Sequence, residues 1–165
     1  MLNLVNRTIA VDICNTIADV NSELELRLGY NPNPQVYLHP LLKDKPDYFE
    51  LNLDIFLAAK PIGISANVLR ELSRLNKIVY ITARPKVAEN VTRLWLYKNG
   101  YPSGDVYFTN NKVVVANKLG VNLAIEDAPH ELVNYIEVGI NVMVKKQEYN
   151  KNFNNRFEWG DKLAI

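Results

Sequence analysis

Apolar residues along this chain fall into short unbroken runs that alternate with stretches of helical spacing. Ile9-Ala-Val11, Lys77-Ile-Val-Tyr-Ile81, Val106-Tyr-Phe108, Asn122-Leu-Ala-Ile125 and Asn141-Val-Met-Val144 have the continuous apolar character of strands buried on both faces. Between them lie amphipathic stretches. Ser65 can cap a helix whose Val68, Leu69, Leu72 and Leu75 form one stripe. Residues 87–97 predict a second, with Val91, Leu94 and Trp95 on one side and Asn99-Gly100 as its stop. Residues 113–119 and 131–138 predict two more, closed by Gly120 and Gly139. This alternation predicts right-handed βαβ crossovers and an α/β fold with a parallel sheet.

The first interval departs from that rhythm. Seventy residues separate Asp12 from Thr82, whereas a βαβ unit needs about 30, so roughly 40 are surplus. Within the surplus, Ser22-Glu-Leu-Glu25 matches a capping box, and Leu24, Leu26 and Leu28 before Gly29 predict a short helix. Asn31-Pro-Asn-Pro34, His39-Pro40 and Pro46 are turn chemistry. Phe49, Leu51, Leu53, Ile55, Phe56 and Leu57 predict a helix over residues 48–59, which Pro61-Ile-Gly63 breaks. The expected organisation is one domain over residues 1–165, with a core of about 1–19 and 61–165 and a small helical cap inserted at about 20–60. Residues 145–165, rich in Asn and aromatics, are expected along the surface near the strand ends.

Composition narrows the function. A length of 165 residues with 48% hydrophobic content supports one substantial core. A net charge of +1 gives no electrostatic case for a nucleic-acid polymer as partner. Cys14 is the single cysteine, which excludes an intrachain disulfide and a thiolate zinc site and suits a reducing, cytoplasmic compartment. The first seven residues are too polar for a signal peptide, and no apolar run approaches the ~20 residues of a membrane span. A soluble, untargeted protein without membrane attachment is expected, and a homodimer is compatible with the sequence.

Four strand ends then carry Asp12, Thr82, Lys112 and the pair Glu126-Asp127. Parallel strands bring such ends together at the edge where α/β sheets bind ligands. Each residue has a plainer reading: Asp12 and Thr82 as caps of the following turn, Glu126 and Asp127 as solvated loop acids. Together they have a chemical logic. Carboxylates make a hard oxygen site for Mg²⁺, Lys and Thr offer donors to a phosphoryl group, and an Asp beside the metal can attack phosphorus.

Val11-Asp-Ile-Cys-Asn-Thr16, Ile81-Thr-Ala-Arg-Pro85, Lys112 and Ile125-Glu-Asp-Ala-Pro129 together resemble the four motifs of the haloacid dehalogenase-like (HAD) superfamily. Within it the chain is similar to the small 5'-nucleotidases that include the 5'(3')-deoxyribonucleotidases. The resemblance spans nearly the whole chain, including Tyr48-Phe49, Pro61-Ile-Gly63 and an ending of the Tyr149-Asn…Trp159 kind. It implies a HAD-like, Rossmann-type parallel sheet with a small helical cap after the first strand. It also implies a Mg²⁺-dependent phosphomonoester hydrolase acting on a small phosphorylated substrate, a nucleoside or deoxynucleoside monophosphate first. Asp12 would be nucleophile and metal ligand, and Cys14 would lend its backbone carbonyl to the metal. Thr82, Lys112 and Asn15 would hold phosphoryl oxygens, Lys112 would also shield charge on Asp12, and Asp127 and Glu126 would bind Mg²⁺.

One position breaks the pattern. The superfamily's first motif is Asp-x-Asp, whose second Asp protonates the leaving oxygen and then activates water, and that position is Cys14 here. A thiol with pKa near 8.5 is a poor substitute, and loss of general acid/base help typically removes ~10²–10⁴-fold in rate. This favours a rival reading, a non-catalytic phosphate- or nucleotide-binding regulatory protein on the same scaffold. A receiver-like domain would also use Asp, Thr and Lys at strand tips, but the long first interval argues against it. Cys14 as nucleophile is disfavoured because thiol phosphatases require an Arg six residues on, and position 20 is Val. Lys112 is preferred to Lys118, which lies at the far end of the same helix. Arg84 can reach a substrate or be a surface charge. Tyr48 and Phe49, with Tyr30, Tyr37 and Phe56, can stack on a base or form the cap's own core.

Overall fold

The computed structural model describes residues 5–161. In chain order, β1 (Thr8–Val11) leads through a tight loop to the two-residue strand β2 (Ala18–Asp19) and helix α1 (Val20–Leu28). Two short helices follow, α2 (Tyr48–Leu51) and α3 (Asp54–Ala58), then β3 (Lys60–Pro61), which pairs antiparallel with β2. Thereafter helix and strand alternate: α4 (Ser65–Ser73), β4 (Lys77–Thr82), α5 (Glu89–Lys98), β5 (Val106–Phe108), α6 (Lys112–Lys118), β6 (Leu123–Glu126), α7 (Pro129–Glu137) and β7 (Asn141–Lys145). A last strand, β8 (Arg156–Phe157), adds to the sheet edge.

The main sheet has six strands in the order β5-β4-β1-β6-β7-β8, all parallel. The chain builds outward from β1 to β4 and β5, then returns to place β6 on the other side of β1. That reversal makes the C-terminal end of β1 a switch point, where an open α/β sheet leaves a crevice. Alternation along the strands feeds two cores. Ile9, Val11, Ile78, Tyr80, Leu123 and Ile125 face one way, packing with Leu69 of α4, Trp95 of α5 and Phe56 of α3. Ala10, Val79, Ile81 and Ala124 face the other, against Ala116 of α6 and Tyr135 of α7. Helices thus cover both faces, as the sequence pattern predicts.

Several local details differ from the pattern. The first helix begins at Val20, not at the capping box, because the Asp19 carboxylate accepts from the Ser22 backbone N–H at 3.1 Å and Ser22 Oγ at 2.7 Å. The single helix expected over residues 48–59 is two, since the Asn52 side chain takes the Tyr48 carbonyl at 2.8 Å and breaks the ladder there. Ser65 is not a cap. It lies inside α4, buried, with its hydroxyl 2.7 Å from the Tyr101 hydroxyl. On α5, Leu96 joins Trp95 in the core and Leu94 is exposed, so the stripe is rotated from the expected one. The tail does more than lie along the surface: β8 extends the sheet and Trp159 is buried, its indole N–H on the Thr16 carbonyl at 2.7 Å. Residues 1–4 of the N-terminal segment and 162–165 of the tail lie outside the described residues. Among the described residues no helix is long and apolar enough to cross a membrane.

Candidate active site

Strand register assembles the site. Val11 pairs with Tyr80 on one side and Ile125 on the other, so Asp12, one residue past β1, stands level with the tips of β4 and β6. Thr82 and Glu126 are the last residues of those strands, and Lys112 is the first of α6. Lys112 Nζ lies 2.6 Å from Asp12 Oδ1 and 2.7 Å from Glu126 Oε2. Asp12, Glu126 and Asp127 each place an oxygen within 4.8 Å of the others, all three buried. The four strand ends therefore meet in one place. Lys118 is exposed at the far end of α6 and takes no part.

Each carboxylate is held differently. Glu126 is fully engaged: Lys112 on Oε2, and the backbone N–H groups of Asp127 and Ala128 on Oε1, both at 3.0 Å. Asp127 accepts only neutral side-chain donors, Thr16 Oγ1 on Oδ1 at 2.6 Å and the Tyr149 hydroxyl on Oδ2 at 2.5 Å. It has no cationic partner among the described residues. Burial raises the Glu126 and Asp127 carboxyls above their ordinary range, and the Asp12 charge adds to the effect. Burial pulls the Lys112 ammonium down, but Asp12 and Glu126 more than offset this and hold it well above its usual value. A buried carboxylate with no cation, beside two others within 4.8 Å, is a hard-oxygen donor set that fits a divalent cation.

The turn after Asp12 is tight. Asn15 has φ 60°, its N–H goes to the Ala18 carbonyl at 2.7 Å, and its side-chain Oδ1 accepts from the N–H of Asn21 at 2.8 Å. Its backbone amide is therefore committed to the turn, and its side chain anchors the start of α1. Thr82 is wholly buried, with Oγ1 taking the Arg84 backbone N–H at 3.2 Å. Cys14 is half-buried, and burial pushes its thiol up. Its Sγ accepts from Arg84 Nε at 3.1 Å.

A cavity of about 120 Å³ opens above these groups, lined by Asp12, Cys14, Thr82, Arg84, Lys112 and Phe49 among others. Arg84 is no surface charge: it is 4% exposed, with Nη1 on Thr92 Oγ1 at 3.1 Å and its guanidinium 4.2 Å over the Phe56 ring. Phe49 stacks on Phe56, centroids 5.5 Å apart, and faces the cavity. Tyr48 does not line it but packs edge-on against Phe49. Tyr37 lines it, while Tyr30 is 76% exposed. Three participants have no role assigned by the sequence pattern: Thr16 and Tyr149, both inside stretches that carry the resemblance, and Asn21. Thr16 sits four residues past Asp12, close enough for a scan of that loop to find it, whereas Tyr149, 22 residues past Asp127, carries no local signal of its role.

Comparison with known proteins agrees with this geometry. The chain is 30% identical over 120 residues to a protein of Oceanobacillus iheyensis named "Putative nucleotidase", a match covering 67% of this chain and 64% of that one. It is 26% identical over 176 aligned positions to a nucleotidase of Clostridium acetobutylicum, covering 95% and 92%. The match thus spans a little under two thirds of the Oceanobacillus relative. Among solved structures, a haloacid dehalogenase-like family hydrolase from Streptococcus pneumoniae superposes with TM-score 0.58 at 13% identity, covering 84% of both chains, and so shares the fold. The family profile described as 5' nucleotidase, deoxy (pyrimidine), cytosolic type C protein matches residues 34–163. That span holds Thr82, Arg84, Lys112, Glu126 and Asp127, and the sheet register adds Asp12 beside them. The chain belongs to this 5'-nucleotidase family, on a fold it shares with a haloacid dehalogenase-like hydrolase.

Proposed function

We propose that the protein hydrolyses a phosphomonoester, with a nucleoside or deoxynucleoside 5'-monophosphate as the leading substrate class. The observation that carries this is Lys112, which lines the cavity with Asp12 and bridges Asp12 to Glu126, beside a third buried acid, Asp127, that has no cationic partner among the described residues. Asp12, Asp127 and the backbone carbonyl of Cys14 would hold Mg²⁺, with Glu126, whose oxygens are already engaged, reaching it through water. When bound, the ion shares the charge of the phosphoryl oxygens.

The remaining roles belong to the chain itself. Lys112 fixes Asp12 through Oδ1, which leaves Oδ2 as the oxygen that attacks phosphorus to give an aspartyl-phosphate. Thr82 and Lys112 donate to the phosphoryl oxygens, and Asn15 shapes the turn that borders them and lines the cavity. Phe49, Arg84 and the cap helices exclude water from the cavity and contact the rest of the substrate. The nucleotide preference is supported by the family and by the relatives' names. The cytosolic type of the family agrees with a cytoplasmic protein, and residues 20–60 act as the cap over a core of 1–19 and 61–165.

Phosphate release from a panel of nucleoside and deoxynucleoside 5'-monophosphates and sugar phosphates, with Mg²⁺, tests the proposal. Wild type is expected to release phosphate and Asp12→Asn to release none. Equal release by both would reject Asp12 as nucleophile. A second reading rests on Cys14, which occupies the place of the family's acid: the same cradle binds phosphate without turning it over. Mononucleotide binding by a wild type that releases no phosphate would favour it.

A further inference from the structure

Arg84 is a buried cation without a counter-ion. No carboxylate reaches its guanidinium among the described residues, and its partners are a thiol, a hydroxyl and two aromatic faces, Phe56 at 4.2 Å and Trp95 at 6.0 Å. Its Nη2 is buried with no hydrogen-bond partner among the described residues. Aromatic faces offset part of the desolvation of such a charge, but an unpaired buried cation gains most when negative charge arrives beside it. The cavity it lines with Asp12 and Lys112 is where that charge would arrive.

The position tells which charge. Lys112 and Thr82 stand on the sheet side with Asp12. In an in-line displacement the leaving oxygen lies across phosphorus from the attacking oxygen, hence on the cap side. Arg84 reaches that side, wedged between Phe56 of α3 and Thr92 and Trp95 of α5, and it touches Cys14, which stands where the resembled first motif has the acid that would protonate the leaving oxygen. Resting on the phosphomonoesterase reading, we propose that Arg84 is a catalytic residue of this chain: its guanidinium donates to the oxygen that leaves phosphorus and stabilises the charge developing on it, where Cys14 supplies no carboxylic acid. As Asp12 forms its bond to phosphorus, the P–O ester bond breaks and its electron pair goes to the leaving oxygen, held by the Arg84 N–H. That oxygen takes a proton from water, and a water oxygen ends in the released phosphate when the aspartyl-phosphate is hydrolysed.

Leaving-group dependence tests this. Para-nitrophenyl phosphate expels a stabilised phenolate, while a deoxynucleoside 5'-monophosphate expels an alkoxide that needs far more help. Phosphate release is measured for wild type, Arg84→Gln and Arg84→Lys on both esters with Mg²⁺. Arg84→Gln is expected to lose about 10²–10³-fold in kcat/KM on the nucleotide, the usual effect of removing one such donor, and at least about tenfold less on the aryl ester, kcat/KM being the quantity that reports expulsion of the leaving group whichever later step limits turnover. Arg84→Lys, which keeps the charge, is expected to lose less on the nucleotide than Arg84→Gln. The ratio of the two esters is taken on one sample, so a partly unfolded variant shifts neither ratio. Equal losses on both esters, in both variants, would overturn the role of Arg84 and leave the phosphomonoesterase reading standing. A wild type that hydrolyses neither ester would overturn both.

Discussion

Lys112 and Asp12 stand one hundred residues apart in the chain and 2.6 Å apart in the fold, with both side chains almost wholly removed from solvent. Glu126 closes the other side of the same ammonium at 2.7 Å. One lysine therefore neutralises part of two buried carboxylates while holding the proposed attacking residue in place. Buried charge clusters of this kind are sensitive to the loss of a single member, because what remains is unpaired.

Replacing Lys112 by Met should accordingly cost both stability and activity. Removing one partner of a buried pair destabilises by about 3–5 kcal/mol, read as a lower denaturant midpoint with an unchanged slope. Phosphate release should fall below detection, because Asp12 loses the group that orients it. The exposed Lys118→Met should change neither. If the two variants behave alike, Lys112 is a surface lysine in effect and the site as described is wrong.

Tyr149 makes a second test, 22 residues past the carboxylate it holds. Its hydroxyl donates to Asp127 Oδ2 at 2.5 Å while Thr16 holds Oδ1 at 2.6 Å, so the carboxylate is fixed from both sides. Partners that orient a metal ligand are worth about 10–100-fold in affinity when removed. Tyr149→Phe keeps the ring and its edge contact with Tyr37, 5.3 Å between centroids. The expected result is a Mg²⁺ activation curve shifted about 10–100-fold to higher concentration, with kcat at saturating ion nearly retained. An unshifted curve would remove Asp127 from the metal site.

The pH dependence of stability follows from the raised carboxyls of Glu126 and Asp127. The unfolded chain releases these protons in the ordinary carboxylate range, and the folded protein retains them to higher pH. The folded state thus binds more protons in that interval, so its stability falls as pH rises through it. In EDTA the melting temperature should decline from about pH 5 to about pH 8, as ionisation is forced on buried groups. Lys112, raised above its usual value, stays charged throughout and adds no slope. Mg²⁺ prefers the deprotonated carboxylates and should flatten the decline. A melting temperature that climbs over the same interval in EDTA would contradict the burial of uncompensated acid at this site.

What could be read from the chain follows from physics that is local. Strands buried on both faces are continuous apolar runs, so β1, β4, β5, β6 and β7 announce themselves, and with them the tips that carry Asp12, Thr82 and Glu126. β8 escapes because two residues, Arg156 and Phe157, carry no periodicity. The β2-β3 pair escapes for the same reason. Arg84 beside Pro85 has the local signature of a surface turn, and residues distant in the chain make it a buried cation: Phe56, 28 positions earlier, and Cys14, 70 positions earlier, together with Thr92 and Trp95 of the next helix. Ser65 has the signature of a cap, and Tyr101, 36 positions later, takes its hydroxyl instead. Where a side chain's partner is distant in sequence, the motif gave the residue but not its circumstances.

Cys14→Asp tests the departure that separates this chain from the superfamily pattern. A carboxylate introduced at position 14 would meet Arg84 Nε, now 3.1 Å from Sγ, and give that guanidinium the counter-ion it lacks. It would also supply the general acid/base group that a thiol provides poorly, an effect of ~10²–10⁴-fold in rate. Pairing with Arg84 favours the ionised form, which suits activation of water better than protonation of the leaving oxygen. The gain is therefore expected near the lower end, about 10²-fold in kcat on a mononucleotide. It should be larger when hydrolysis of the aspartyl-phosphate limits the rate than when its formation does. Steady-state rates give the first quantity, and the burst of alcohol released ahead of phosphate gives the second, because a burst in wild type that vanishes in Cys14→Asp locates the slow step. Unchanged rates and an unchanged burst would mean that Cys14 is not what limits this site.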